Sequence, residues 1–165
     1  MTRTLILMRH AKSDWSHAGL RDHERPLNGR GRVSAQALGA WLRDREHLPD
    51  EVLCSSATRT GETLQRLELP KDIPVRYMNE LYHAEASCMR DVLMQAVGAC
   101  VLMIGHNPGI CDVAHRLVRT APDHPRFEDY PTGATLVVRF AAPSWAEIGW
   151  HEGQPIDFVT PRELT

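Results

Sequence analysis

The chain of 165 residues has no hydrophobic run that could cross a bilayer. Its first apolar stretch, Thr4-Leu5-Ile6-Leu7-Met8, is about five residues long, where a spanning helix needs about 20 and a signal-peptide core at least about 7. Net charge is also lacking. Nineteen Lys and Arg stand against 21 Asp and Glu, for a formal charge of -2, and basic residues do not interleave with aromatics. Nucleic acid and membrane are therefore not expected as partners. There is no Cys-x-x-Cys. The four cysteines, Cys54, Cys88, Cys100 and Cys111, are scattered, and a chain able to build a core of this size does not need a disulfide framework. Reduced thiols and cytoplasmic residence are expected. The nine histidines include no HExxH or other compact ligand spacing, so neither metal nor cofactor is expected. No internal repeat, low-complexity tract or linker divides the chain, and residues 1–165 read as one domain.

What is present is an alternation of strand and helix. Residues 4–8 predict a fully buried strand. Val33, Ala37, Leu38, Trp41 and Leu42 predict a helix over 31–45, followed by a strand over 51–54. Ser55 and Ser56 offer N-cap chemistry for a helix reaching about Arg66, and a third short strand is expected by Tyr77. Residues 87–97 read as helical and 100–104 as the clearest buried strand. Pro108 opens a helix running to about Val118. Residues 135–140 and 147–150 read as two late strands, with the C-terminal tail either loose or packed as an edge. The pattern predicts an α/β fold: a single-domain three-layer α/β/α sandwich around a mainly parallel sheet.

Three predicted strands end on chemistry. The first stops at Arg9-His10, the second at Cys54-Ser55-Ser56 with Arg59 one turn on, and the third at Gly105-His106-Asn107. Carboxyl ends of parallel strands line one edge of a sheet, where ligands bind. Two Arg forks, two imidazoles and a helix N-terminus gathered there form an anion site that suits phosphate best.

The phrases Leu7-Met8-Arg9-His10-Ala11, Ser55-Ser56-Ala57-Thr58-Arg59-Thr60-Gly61-Glu62-Thr63 and Gly105-His106-Asn107, with Arg25-Pro26-Leu27-Asn28-Gly29-Arg30-Gly31-Arg32 between them, resemble the histidine phosphatase superfamily, which includes phosphoglycerate mutases. The short chain, the Arg-His-Ala-Lys-Ser-Asp-Trp opening and the absence of a large cap insertion look most like its small SixA-type branch, associated with dephosphorylation of protein phosphohistidine. The resemblance implies a metal-independent phosphatase in which His10 takes the phosphoryl group as a covalent intermediate. Arg9, Arg59 and His106 would hold the phosphoryl oxygens, with Ser13 at a further phosphate-contact position. Neighbouring guanidinium charges should keep His10 neutral and nucleophilic. In Asn79-Glu80-Leu81-Tyr82, Glu80 falls on the leaving-group acid position of mutase-type members; as a bare residue it reads equally as a solvated carboxylate.

Ala11 replaces the usual Gly, Lys12 an acidic residue and Ser16 an Asn frequent in mutases, and these departures argue against mutase activity. The expected substrate is a phosphorylated protein bearing phosphohistidine; the alternative is a small phosphorylated metabolite or sugar phosphate. A non-catalytic phosphoprotein-binding module is the reading of another class, and the intact set of Arg9, His10, Arg59 and His106 argues against it. Cys54 stands one residue too close to Arg59 for a cysteine-phosphatase loop, Cys-x4-Arg instead of Cys-x5-Arg, and reads as a strand residue. Arg21, Arg25, Arg30 and Arg32 read as a solvated loop or as a rim that steers anions. Trp15 is a packing residue or part of the pocket mouth.

Overall fold

Leu5, Ile6, Leu7 and Met8 are all fully buried, because the strand they belong to is covered on both faces. In a computed structural model describing residues 1–165, this strand, β1 (Arg3–Arg9), sits inside a six-stranded sheet of order β3-β2-β4-β1-β5-β6. The other strands are β2 (Glu51–Ser55), β3 (Val75–Met78), β4 (Cys100–Gly105), β5 (Thr135–Phe140) and β6 (Gln154–Val159). β3, β2, β4 and β1 run parallel, whereas β5 and β6 are added antiparallel.

Period-two alternation splits β1 between two cores. Leu5 and Leu7 pack with α3 (Ala86–Leu93) and α4 (Gly109–Leu117). Ile6 and Met8 pack on the other face with Leu38, Trp41 and Leu42 of α1 (Gly29–Asp44) and Leu64 and Leu67 of α2 (Thr58–Leu67). The expected three-layer α/β/α sandwich is the observed one. Each fully buried Leu, Ile or Met contributes roughly 1.5–3 kcal/mol over its exposed state. No helix is long and apolar enough to cross a membrane.

Three local expectations are corrected. Neither Ser55 nor Ser56 caps α2: its N-cap is Ala57, without a side-chain cap, because both hydroxyls are engaged by histidines described below. The helix expected over 87–97 ends at Leu93. Residues 147–150 are not a strand. Trp145–Glu147 is a 3-10 turn whose Trp145 is buried, with its Nε1 donating to Gly98 O at 2.6 Å, and the last strand is Gln154–Val159. Pro155 is tolerated there because β6 is an edge, and the register of β5 on β6 shifts between Val137 and Val138, beside it.

Backbone proximity fixes how α1 lies on α2. A Cβ at Gly39 would stand 2.1 Å from the carbonyl oxygen of Leu67, a backbone atom that cannot swing aside. Gly39→Ala is therefore expected to destabilise the fold by about 1–3 kcal/mol in urea denaturation. Gly19→Ala, where nothing lies within 4 Å, should leave the midpoint within about 0.5 kcal/mol.

Candidate active site

The register of the central strands sets the site. Arg9 lies opposite Gly105 in the β1–β4 pair, and one residue on, the His10 amide donates to Gly105 O at 3.1 Å. His10 and His106 thus leave adjacent strand ends together, with ring centroids 5.3 Å apart. Arg59 comes from the first turn of α2 and is 2 % exposed. Thr63 ties α2 to the His10 turn: its Oγ1 accepts from the Ala11 amide at 3.0 Å and donates to Arg59 O at 2.7 Å.

His10 Nδ1 lies 2.7 Å from Ala11 O. A carbonyl only accepts, so Nδ1 carries the proton and Nε2 presents its lone pair. His106 Nε2 lies 2.8 Å from Ser55 Oγ, which also accepts from the Ala57 amide at 3.3 Å. His106 Nε2 is the acceptor at hand for the hydroxyl proton, which leaves the ring proton on Nδ1, a buried atom without a partner. Burial pushes His10 down to about 3, helped by the Arg59, Arg9 and Arg25 charges. Burial likewise pushes His106 down to about 2, with His10, Arg59 and His83 adding to it. Both imidazoles are neutral at pH 7.

Seven buried side-chain polar atoms lack a partner, and four belong to Arg9, Arg25, Arg59 and His106. Unsatisfied buried donors cost roughly 1–3 kcal/mol each, so their concentration at one sheet edge marks a place built for an acceptor. Arg9 is held by Nη1 donating to Tyr130 O at 3.1 Å. Burial draws its pKa down, yet a guanidinium stays charged. Tyr130 is itself pinned by its hydroxyl donating to Leu7 O, and its carbonyl also accepts from Asn107 Nδ2 at 3.0 Å.

Sequence reasoning missed Asp22, on the 3-10 turn Asp22–Glu24. Its carbonyl accepts from Arg59 Nη1 at 2.7 Å, and its Oδ2 accepts from Arg59 Nη2 at 3.0 Å and Tyr82 Oη at 2.6 Å. His83 Nε2 stands 3.0 Å from the same oxygen, and Arg25 pairs with Oδ1. Partial burial pushes this carboxyl up, but the Tyr82, His83 and Arg59 hydrogen bonds and the Arg59 charge outweigh it and hold it well below the usual carboxylate range. Tyr82 and His83 close the ring, with centroids 5.4 and 5.2 Å from His106. His23 Nε2 contacts Ser56 Oγ at 2.9 Å. The signal for Tyr82 was its place two residues after Glu80; nothing local marked Asp22.

The other expected residues are placed less centrally. Ser13 is buried in a bridge to Leu27, without a side-chain hydrogen bond to the four. Glu80 is exposed on the 3-10 turn Asn79–Leu81 and forms no ion pair. Trp15 is 78 % exposed, and Arg25 stacks on it with Cζ 3.3 Å from the ring centroid. Cys54 is fully buried, its thiol pushed up to about 12 by burial, and takes no part.

Residues 5–95 match the sequence profile of the histidine phosphatase superfamily, branch 1. An uncharacterized protein of Mycobacterium tuberculosis is 34% identical over 163 residues, covering 94% of this chain and 100% of that protein. The chain belongs to the histidine phosphatase superfamily. A structure named for the phosphohistidine phosphatase SixA of Nakamurella multipartitia superposes with a TM-score of 0.85 at 29% identity, over 98% of this chain and 97% of the other. One similarly named from Agrobacterium tumefaciens gives 0.79 at 26% identity, over 96% and 98%. This histidine phosphatase is a hydrolase with the SixA fold and no large cap.

An unfolded chain protonates His10 and His106 near the ordinary value of 6.5, whereas the folded site refuses the proton until about 3 and about 2. The unfolded state therefore binds more protons between those limits. The stability tied to neutral imidazole is fully present above about pH 6.5 and is lost as pH falls, by of order 1 kcal/mol per pH unit per histidine. Thermal unfolding at pH 7 and pH 4.5 should show a smaller loss for His10→Asn than for wild type. Equal losses would mean that His10 titrates as it does in water.

Proposed function

We propose that this phosphatase removes the phosphoryl group from phosphohistidine in a protein substrate, through a covalent phospho-His10 intermediate. The observation that carries the reading is the His10 ring: Nδ1 is committed to Ala11 O, so Nε2 stands as a neutral nucleophile beside buried donors that lack acceptors. The superfamily membership and the likeness to proteins named for SixA phosphohistidine phosphatases support it.

In the first step the Nε2 lone pair attacks phosphorus and an Nε2–P bond forms. The substrate's P–N bond breaks, and its electron pair stays on the departing imidazole nitrogen, which takes up a proton. Arg9, Arg59 and His106 Nδ1–H hold the equatorial oxygens as charge spreads over them. In the second step water attacks phosphorus and the P–Nε2 pair returns to His10; one water proton stays on the phosphate and the other passes to solvent, replacing the proton that the departing imidazole took up. An imidazole that is protonated as it departs is a good leaving group, so the demand for a strong acid at Glu80 is light. A protein-borne phosphohistidine also needs an open mouth, and the fold has no cap domain over the sheet edge that holds His10.

The substrate phosphate meets an existing anion, the Asp22 carboxylate, on Arg59. Asp22 uses Arg59 Nη1 and Nη2, which leaves the orphaned Nε–H for a phosphoryl oxygen. In this arrangement Asp22 positions the guanidinium and tempers the positive field of the pocket.

His10→Ala should lower turnover of an aryl phosphate and of a phosphohistidine peptide by about a thousandfold or more. Wild type quenched in alkali after mixing with labelled substrate should carry an acid-labile phosphate that the variant lacks. Unchanged hydrolysis by His10→Ala would overturn the covalent mechanism, and EDTA is expected to leave the wild-type rate intact. In a panel, kcat/KM for phosphohistidine peptide should exceed that for sugar phosphates and nucleotides; the reverse order would assign the site to small metabolites.

A further inference from the structure

Of the four arginines at 21, 25, 30 and 32, three are neutralised: Arg21 by Glu24, Arg25 by Asp22 and Arg32 by Glu62. Arg30 has no ion-pair partner. It opens into a cleft of about 740 Å³ that it lines together with Lys12, Arg126 and Arg162. Of these four cations only Arg126 is paired, with Asp129 at 2.9 Å. No aspartate or glutamate side chain lines the cleft, and its apolar wall residues are Val33, Pro131 and Pro161.

Two features show that the charge is not incidental to folding. Arg30 sits in the first turn of α1, which carries no acidic residue, so its cation is set against the helix dipole at a cost of about 0.3–1 kcal/mol. Lys12, Arg30 and Arg162 come from three separate segments, so their mutual repulsion is built by the tertiary fold, not by one basic stretch of sequence.

The cleft shares a wall with the catalytic pocket. Arg9 binds Tyr130 O, the Gly133 amide donates to His10 O at 2.9 Å, and Pro131 and Thr132 between them face the cleft. Lys12 follows His10 by two residues, and its carbonyl accepts from the Asn28 amide at the start of α1. Small-molecule sites are mostly apolar with a few convergent polar groups. An open groove whose polar side chains include three unpaired cations and no carboxylate side chain fits instead a solvated, negatively charged chain.

We propose that this cleft docks an acidic segment of the phosphoprotein substrate, near the phosphohistidine that enters the His10 pocket. The inference rests on the proposed phosphohistidine reading and adds the determinant by which protein substrates are chosen. Charge complementarity of this kind acts on encounter and specificity and weakens with salt.

The test pairs two phosphohistidine peptides, one with Asp and Glu flanks and one with Ser and Gly flanks, on wild type and on the double variant Arg30→Glu, Arg162→Glu. At low salt wild type should prefer the acidic peptide by about tenfold or more in kcat/KM. Raising salt should erase the preference, and the double variant should abolish or invert it while hydrolysing an aryl phosphate at the wild-type rate. A wild-type enzyme indifferent to the flanks, or a variant that keeps the preference, would overturn the proposal. Fluorescence anisotropy with an unphosphorylated acidic peptide is a binding arm independent of turnover: binding by wild type and not by the variant is expected. Failure to cleave either phosphopeptide, with this binding intact, would sink the phosphohistidine reading and leave the groove standing. Tighter binding of a single-stranded RNA or of anionic vesicles through the same arginines would overturn the assignment of the occupant.

Discussion

The parallel pairing of β1 with β4, Arg9 opposite Gly105, is the constraint on which the site depends. A shift of one residue would turn every β1 side chain to the other face. It would place Leu5 and Leu7 where Ile6 and Met8 now pack, and carry His10 away from His106. Register is therefore secured by the two cores, not by the residues of the candidate site. The same burial that holds the strands supplies the low-dielectric surroundings at their ends, and those surroundings keep both imidazoles neutral.

That arrangement sets electrostatics against stability. Arg9, Arg25 and Arg59 surround two imidazoles, and four of their buried donor atoms are left without acceptors. Asp22 is the fold's partial remedy. One carboxylate, with its own backbone carbonyl, takes both terminal nitrogens of Arg59 and also engages Arg25, Tyr82 and His83. The residual deficit is in hydrogen-bond acceptors, concentrated where β1 and β4 end, and a phosphoryl group has three oxygens to offer. The unfavourable term in the free protein becomes the favourable term on binding.

Legibility in the sequence followed the range of the interactions. Strands buried on both faces are continuous apolar runs, so residues 4–8 and 100–104 announced themselves, and so did the Arg9-His10 and Gly105-His106 ends that follow them. Helices with a one-sided apolar face were similarly plain. The local cap expected at Ser55 and Ser56 failed because two distant imidazoles, His106 and His23, compete for the same hydroxyls. The last strand was misplaced because Pro155 suppresses a strand signal in Gln154–Val159, while Trp145–Ile148 is apolar for a different reason: it closes the core against Gly98. Asp22 was invisible because its partners lie 37, 60 and 61 residues away, and no local spacing encodes a contact of that span.

The placement of charge separates two tasks that a run of basic residues would blur. Cations serving the pocket are buried or countered: Arg59 by Asp22, and Arg25 by Asp22 and Trp15. They bind at short range, where desolvation makes each donor strong and where position matters more than net charge. Lys12, Arg30 and Arg162 are exposed and unpaired, so they act over a Debye length of about 8–10 Å, where net charge matters more than position. One tolerates any phosphoryl group of the right shape; the other is indifferent to the phosphoryl group and responds to what carries it. In the proposed docking of an acidic segment, selectivity comes from the second set, because an open mouth contributes little steric discrimination. The wall of residues 130–133 joins the two sets, since Tyr130 O takes Arg9 on one side while Pro131 and Thr132 face the cleft on the other.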